Sequence, residues 1–146
     1  MADRPAKAEG MQWVNPYIIV KDLKSALEFY EKVFGFEIRM TLPDKEGNPM
    51  HAEMQHKDSI IMLGSESPES QTKSPGTLGG SSSSFYVYVD DINGFFDKIK
   101  GAVAKVYMEP TDQFWGDRMC HVEDPEGHQW SFAQNVADFD PSKVPG

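Results

Sequence analysis

The side chains best equipped for chemistry come in short pairs. His51 and Glu53 stand two residues apart, as do His121 and Glu123. On a β-strand that spacing puts both members of a pair on one face, where imidazole and carboxylate could ligate a divalent cation or pass a proton. The competing reading is that they are ordinary polar strand residues. Cys120 is the single cysteine, so it can form neither an internal disulfide nor a thiolate metal cluster. His56 and His128 fall where the chain is expected to turn and are expected in solvent. A second group is aromatic. Tyr86 and Tyr88 alternate along one run, and Trp115 follows Phe114, rings that could stack on a planar or cationic ligand. Trp115 also reads as a plug between two halves of the chain, its loop fixed by an Asp117–Arg118 salt bridge; Trp13 and Trp130 are expected in the core.

Composition bounds what such groups could serve. The chain has 146 residues, 14 basic against 23 acidic, for a net charge of −9. That charge repels phosphate backbones and anionic lipid, which argues against nucleic-acid and membrane partners and leaves a small molecule or a protein. Nine Phe, five Tyr and three Trp supply large surfaces for one buried core. No apolar run is long enough to span a membrane, and residues 1–10 have no apolar centre of the kind a signal peptide needs, so a cytoplasmic protein is expected.

The elements that must position these residues occur twice. An offset of 69 residues carries Tyr17-Ile-Ile-Val-Lys-Asp22 onto Tyr86-Val-Tyr-Val-Asp-Asp91 and Ser59–Leu63 onto His128–Phe132. Each copy reads as strand, helix and three strands. In the first, a strand over 13–20 leads to Asp22 as N-cap. A helix follows from Leu23 to about Phe34, striped by Leu23, Ala26, Leu27, Tyr30, Val33 and Phe34 and closed by Gly35. Strands over 36–42, 50–55 and 59–63 come next, the last two joined around His56-Lys57. The second copy has a strand over 85–89, an Asp90/Asp91 cap, a helix over 92–100 and strands over 104–108, 118–123 and 129–134, turned by Asp124-Pro-Glu-Gly127. The expected organisation is a flexible tail 1–11, a unit 12–64, a linker 65–83, a unit 84–137 and a tail 138–146, one domain overall. The Ser-, Gly- and Pro-rich linker reads as a bare joint or as a loop that closes over a ligand.

This repeated βαβββ pattern, with its strand-Asp-helix openings and Asp-Pro-x-Gly turn, resembles the vicinal oxygen chelate superfamily of glyoxalase I, extradiol dioxygenases and bleomycin-resistance proteins. Within it, Asp112–Arg118, Asp124–Ser131, Met50–Glu53 and Ser59–Leu63 resemble the PhnB-like branch. The resemblance covers about residues 12–135. It implies an α+β fold in which two tandem βαβββ units curl into an eight-stranded half-barrel around a cavity, and a homodimer, since relatives commonly complete their sites between subunits.

The same resemblance locates where metal enzymes of the superfamily carry their ligands, on the first and last strand of each unit. Here those positions hold Asn15, Met62, Ser84 and Ser131. None is a strong ligand for magnesium, zinc, nickel or iron, so no metal and no cofactor are expected. Alternation from these positions puts Tyr17, Ile19, Tyr86 and Tyr88 in the cavity with Ile60 and Gln129, while Ile18, Val20, Phe85 and Val87 face the helices. Likewise Met50, Ala52 and Met54 are expected under the helix, with His51 and Glu53 on the other face.

The expected ligand-binding set is therefore Asn15, Tyr17, His51, Glu53, Met62, Ser84, Tyr86, Tyr88, Phe114, Trp115 and Ser131. The function expected is metal-independent binding of a small molecule, a planar or cationic compound held without being altered. Against it stand two others: a lyase, isomerase or dioxygenase of the same superfamily with unorthodox ligands such as His51/Glu53 or His121/Glu123, or with metal-free chemistry at those residues, and a module that only binds protein.

Overall fold

The structure, a computed structural model, describes residues 3–146. Contacts divide them into two compact units, meeting at Ser74/Pro75, each a four-stranded sheet with one longer helix. The first unit contains β1 (Tyr17–Val20), α1 (Leu23–Lys32), β2 (Glu37–Pro43), β3 (Pro49–His56) and β4 (Ser59–Ser65), in the sheet order β1-β4-β3-β2. The second contains a single turn α2 (Pro75–Leu78), β5 (Ser84–Tyr88), α3 (Ile92–Ile99), β6 (Lys105–Asp112), β7 (Asp117–Glu123) and β8 (Gln129–Asn135), in the order β5-β8-β7-β6. In each, the first strand runs parallel to the last and the other pairs are antiparallel. The class is α+β.

Both helices start for the reason their sequences give. Asp22 accepts from Ser25 N at 3.1 Å and Asp91 from Gly94 N at 3.2 Å, so a carboxylate satisfies one of the unpartnered N–H groups of each first turn. Leu23, Ala26, Leu27 and Tyr30 form the buried stripe of α1, and Ile92, Phe96 and Ile99 that of α3. Beneath α1 lie Ile18, Val20, Ala52, Met54 and Leu63; the core of the second unit adds Cys120, Val122, Trp130 and Phe132. Trp130 stacks on Phe85 with ring centroids 4.6 Å apart.

Several expectations need correction. Trp13 is not core but 78% exposed. Pro16 has no N–H to extend the ladder, so β1 starts at Tyr17, and the Gln12 side chain takes the place a longer strand would fill. Its Nε2 donates to Ile60 O (2.9 Å) and its Oε1 accepts from Ile60 N (2.8 Å). Met50 sits at the exposed start of β3 rather than under α1. His128 is buried, because the stretch around α2 lies on the Asp124–Gly127 turn: Gly76 N donates to Glu126 O at 3.2 Å. In that stretch Ser74 and Pro75 are buried. His56 is half-buried against Phe36, ring centroids 5.5 Å apart.

The register preserves the repeat where it matters and breaks it in one strand. Tyr17 pairs with Met62 and Tyr86 with Ser131, both related by the offset of 69. On the neighbouring strands Glu53 pairs with Met62 but His121 with Ser131. By pairing, Glu53 and His121 are therefore equivalent, and His51 matches Met119 rather than Cys120. The cause is the hairpin. In the first unit only Lys57 and Asp58 separate the paired His56 and Ser59, whereas the second uses the longer Asp-Pro-x-Gly turn and slips by one residue.

Candidate functional site

Directly paired residues share a face, so the register defines what each sheet presents on the side away from its helix. In the first unit one row is Tyr17, Met62, Glu53 and Met40, and the next is Ile19, Gly64, His51 and Leu42. Tyr17 leans over Gly64 to place its hydroxyl 2.8 Å from His51 Nδ1. A Cβ at Gly64 would lie 2.7 Å from that hydroxyl, so the missing side chain is what lets the pair form. Glu53 is joined to Arg39 at 3.6 Å. Ile60 lies on this face and is fully buried.

Asn15 precedes β1, and its side chain closes its own loop, Nδ2 donating to Gln12 O at 2.8 Å and Oδ1 accepting from Gln12 N at 3.2 Å. A cleft of about 500 Å³ between α1 and β2, lined by Leu27, Glu28, Glu31, Ile38 and Pro43 among others, contains none of the expected site residues.

In the second unit the corresponding rows are Ser84, Gln129, Glu123 and Lys105; Tyr86, Ser131, His121 and Met108; and Tyr88, Ala133, Met119 and Thr111. Beyond the last of these Asp117 pairs with Asn135. Asp117 is 1% exposed, and both of its oxygens are engaged. Oδ2 accepts from the Tyr86 and Tyr88 hydroxyls, each at 2.7 Å, and Oδ1 from Asn135 Nδ2 at 3.0 Å. Trp115 Nε1 donates to the Tyr86 hydroxyl oxygen at 3.0 Å. The two tyrosine rings meet edge to face, centroids 5.6 Å apart, and remain about half exposed with Trp115 at their side. Phe114 packs against Trp115 and Phe139, while Asp140 N donates to Phe114 O at 3.0 Å. The result is an aromatic patch built on a buried carboxylate.

The expected Asp117–Arg118 salt bridge does not form. The two side chains point to opposite faces of β7, and Arg118 instead grips Asp112, Nε to Oδ1 at 2.6 Å. The role of Asp117 was accessible from parity: the alternation that puts His121 and Glu123 on one face extends to Asp117.

Burial works against charge on Asp117, but hydrogen bonds from Asn135, Tyr86 and Tyr88 outweigh it and hold the carboxyl below its usual value. Burial, with Asp117 adding to it, pushes Tyr86 up to about 12, and the bond to Asp117 raises Tyr88. Near neutral pH the patch is two phenols over one carboxylate. Because the Asp117 pKa is depressed on folding, its contribution to stability is full above the unfolded value, about 3.9, and is lost as pH falls through the lower folded value. Wild-type protein is expected to lose more thermal stability between about pH 5 and pH 3 than Asp117→Asn, measured as the two melting curves. Equal losses would show that the carboxylate is not linked to folding.

The donor sets do not fit a divalent cation. Glu53 is paired with Arg39, and Glu123 Oε1 accepts from Tyr107 and Gln129, each at 2.8 Å. His121 lies against the Tyr107 ring with its Nε2 buried and without a hydrogen-bond partner. Among the described residues, no three His, Cys, Asp or Glu side chains converge. Met62, Ser84 and Ser131 lie on the sheet faces with a thioether and two hydroxyls, none of them anionic.

An α+β chain of two βαβββ units, each turning aromatic and polar residues away from its helix, defines a recognisable class. The profile of the glyoxalase/bleomycin resistance protein/dioxygenase superfamily matches residues 10–132, and the chain belongs to that superfamily. It is 31% identical over 134 residues to the uncharacterised protein Mb0911c of Mycobacterium bovis, covering 90% of this chain and 88% of that one. Among solved structures it is similar to TioX from Micromonospora sp. ML1, with 25% identity, a TM-score of 0.66, and 84% and 99% of the two chains covered. It also shares the fold of TnmS3, an antibiotic-binding protein from Streptomyces sp. CB03234, with 18% identity, a TM-score of 0.60, and 86% and 98% covered.

Proposed function

We propose that the chain is a metal-independent binding protein that sequesters a planar or cationic small molecule. The observation that carries this reading is the patch of Tyr86, Tyr88 and Trp115 anchored by buried Asp117. Exposed aromatic rings held rigid by hydrogen bonds lose little entropy when a flat ligand stacks on them. Asp117 adds a fixed negative charge that favours a cation. The antibiotic-binding activity stated for TnmS3 is consistent with such a use of the fold. Within the same unit Ser84, Phe114 and Ser131 would supply further contacts; on the first unit Tyr17, His51, Glu53 and Met62 would form a binding face of their own, with Asn15 shaping the entry to β1.

The same reading places the chain in the PhnB-like branch, on the strength of Asp112–Arg118 and Asp124–Ser131, and gives it a homodimeric form. It keeps the two units and the stretch joining them as one functional domain. A cytoplasmic setting suits the single cysteine, which is buried with its thiol pushed up to about 11 by that burial. Among the described residues no helix is long and apolar enough to cross a membrane.

The test is a fluorescence titration with a planar dye such as proflavine, in EDTA. Saturable binding is expected, weakened about tenfold by Trp115→Ala through loss of one stacking partner. One tightly held metal ion per chain, lost in His51→Ala or Glu53→Ala and required for dye binding, would overturn the metal-independent reading.

A further inference from the structure

The hydrogen-bond polarity of the patch deepens this reading and rests on it. The Tyr86 and Tyr88 hydroxyls each carry one proton, and both donate to Asp117 Oδ2. The Trp115 indole N–H points at the Tyr86 oxygen. The Asn135 amide nitrogen donates within 3.3 Å to Asp117 Oδ1, Gly116 O and Ala137 O. Every side-chain donor around Asp117 is thus committed inward, leaving phenolic oxygens and ring faces outward over a carboxylate that water barely reaches. Ring faces are the negative side of the aromatic quadrupole, and a phenol that donates to an anion becomes a better acceptor. Other titratable or charged groups on this face of the sheet include His121, in the row of Tyr86, Tyr107 packed against it, and Lys105 and Glu123 one row further. Of these, Glu123 is bonded to Tyr107 and Gln129, and Lys105 lies over the Tyr107 ring at 4.5 Å.

The geometry points to a charge filter: the Tyr86–Tyr88–Trp115 patch takes planar compounds that bring a positive charge or N–H donors, and rejects planar anions of the same size. An anion would meet lone pairs, ring faces and the Asp117 charge, while the side-chain donors of Tyr86, Tyr88, Trp115 and Asn135 are already committed and do not compensate its desolvation. The filter is local to this patch and distinct from the overall charge of −9, which acts on any cation at long range and is screened by salt.

The experiment compares three flat tricyclic probes on wild-type protein: proflavine as cation, acridone as neutral N–H donor and anthraquinone-2-sulfonate as anion. Proflavine is expected to bind at least about tenfold more tightly than the sulfonate. The preference should persist in about 0.5 M sodium chloride, where long-range attraction is screened. Asp117→Asn should narrow the gap, and Tyr88→Phe, which keeps the ring but removes one outward acceptor oxygen, should narrow it less. Equal binding of cation and anion, or a preference that vanishes in salt, would overturn the filter while leaving the patch as a binding surface. Failure of all three probes to bind would overturn the binding reading itself and the filter with it.

Discussion

Gly116→Ala is expected to destabilise the second unit by roughly 3 kcal/mol and to disable the aromatic patch. Gly116 adopts φ of +100°, and a Cβ there would lie 2.2 Å from Ala137 O and 3.2 Å from Asn135 Nδ2. The carbonyl oxygen is backbone and cannot swing aside as a side chain would. The two strands of chain are also tied together, since Val136 N and Ala137 N both donate to Gly116 O, at 2.9 and 3.0 Å. Relief of the clash must therefore move Asn135 or residue 117, and either shift loosens Asp117 from Asn135 and Tyr86 from Trp115. For a chain of this size the loss corresponds to a melting point lower by about 10 °C. Differential scanning calorimetry measures it, and a change within about 2 °C would show that the loop has room the geometry denies.

The second large effect falls on the Asp-Pro-x-Gly turn. Asp124 is buried; its Oδ1 accepts from Glu126 N and His128 N at 2.9 and 3.0 Å, and its Oδ2 from the indole of Trp130 at 2.8 Å. Asp124→Ala removes a charged acceptor from three donors, one of them on the largest fully buried side chain of the unit. The expected cost is about 3 kcal/mol, read as a shift in urea midpoint with unchanged slope. Asp124→Asn is expected to rescue little, because an amide that accepts the two backbone N–H groups turns its own N–H₂ toward the Trp130 N–H. Full recovery in Asp124→Asn would show that the turn bonds alone carry the effect.

Much of this architecture was legible in the sequence because it rests on local chemistry. Asp22 and Asp91 cap helices whose apolar stripes fit a sheet, and the pairing of Tyr17 with Met62 repeats in Tyr86 with Ser131. What was not legible depends on partners distant in the chain. Trp13 has the residue type of a core position, yet Gln12 takes up the Ile60 backbone and leaves Trp13 outside. His128 sits in a turn sequence and is buried because residues 75 and 76 come down on that turn.

The same limit governs the candidate site. The tyrosines at 86 and 88 and the indole at 115 stand out by type, but adjacency in the chain points the carboxylate that joins them to Arg118 instead. The register puts Asp117 opposite Asn135 and sends Arg118 to the other face, toward Asp112. Sequence distance hides such a hub, since the bonds to Asp117 come from residues 18 to 31 positions away.

A flat small molecule is expected to bind at the Tyr86–Tyr88–Trp115 patch without a metal. The most direct measurement is a titration of indole N–H resonances in ¹⁵N-labelled protein kept in EDTA, in which Trp13, Trp115 and Trp130 each report separately. Addition of proflavine is expected to shift the Trp115 signal saturably, because its N–H bonds to the Tyr86 oxygen, and to leave Trp130, buried on Asp124, where it was. A Trp115 signal that no planar compound moves, or one that moves only after a divalent metal is restored, would contradict metal-free binding at this patch.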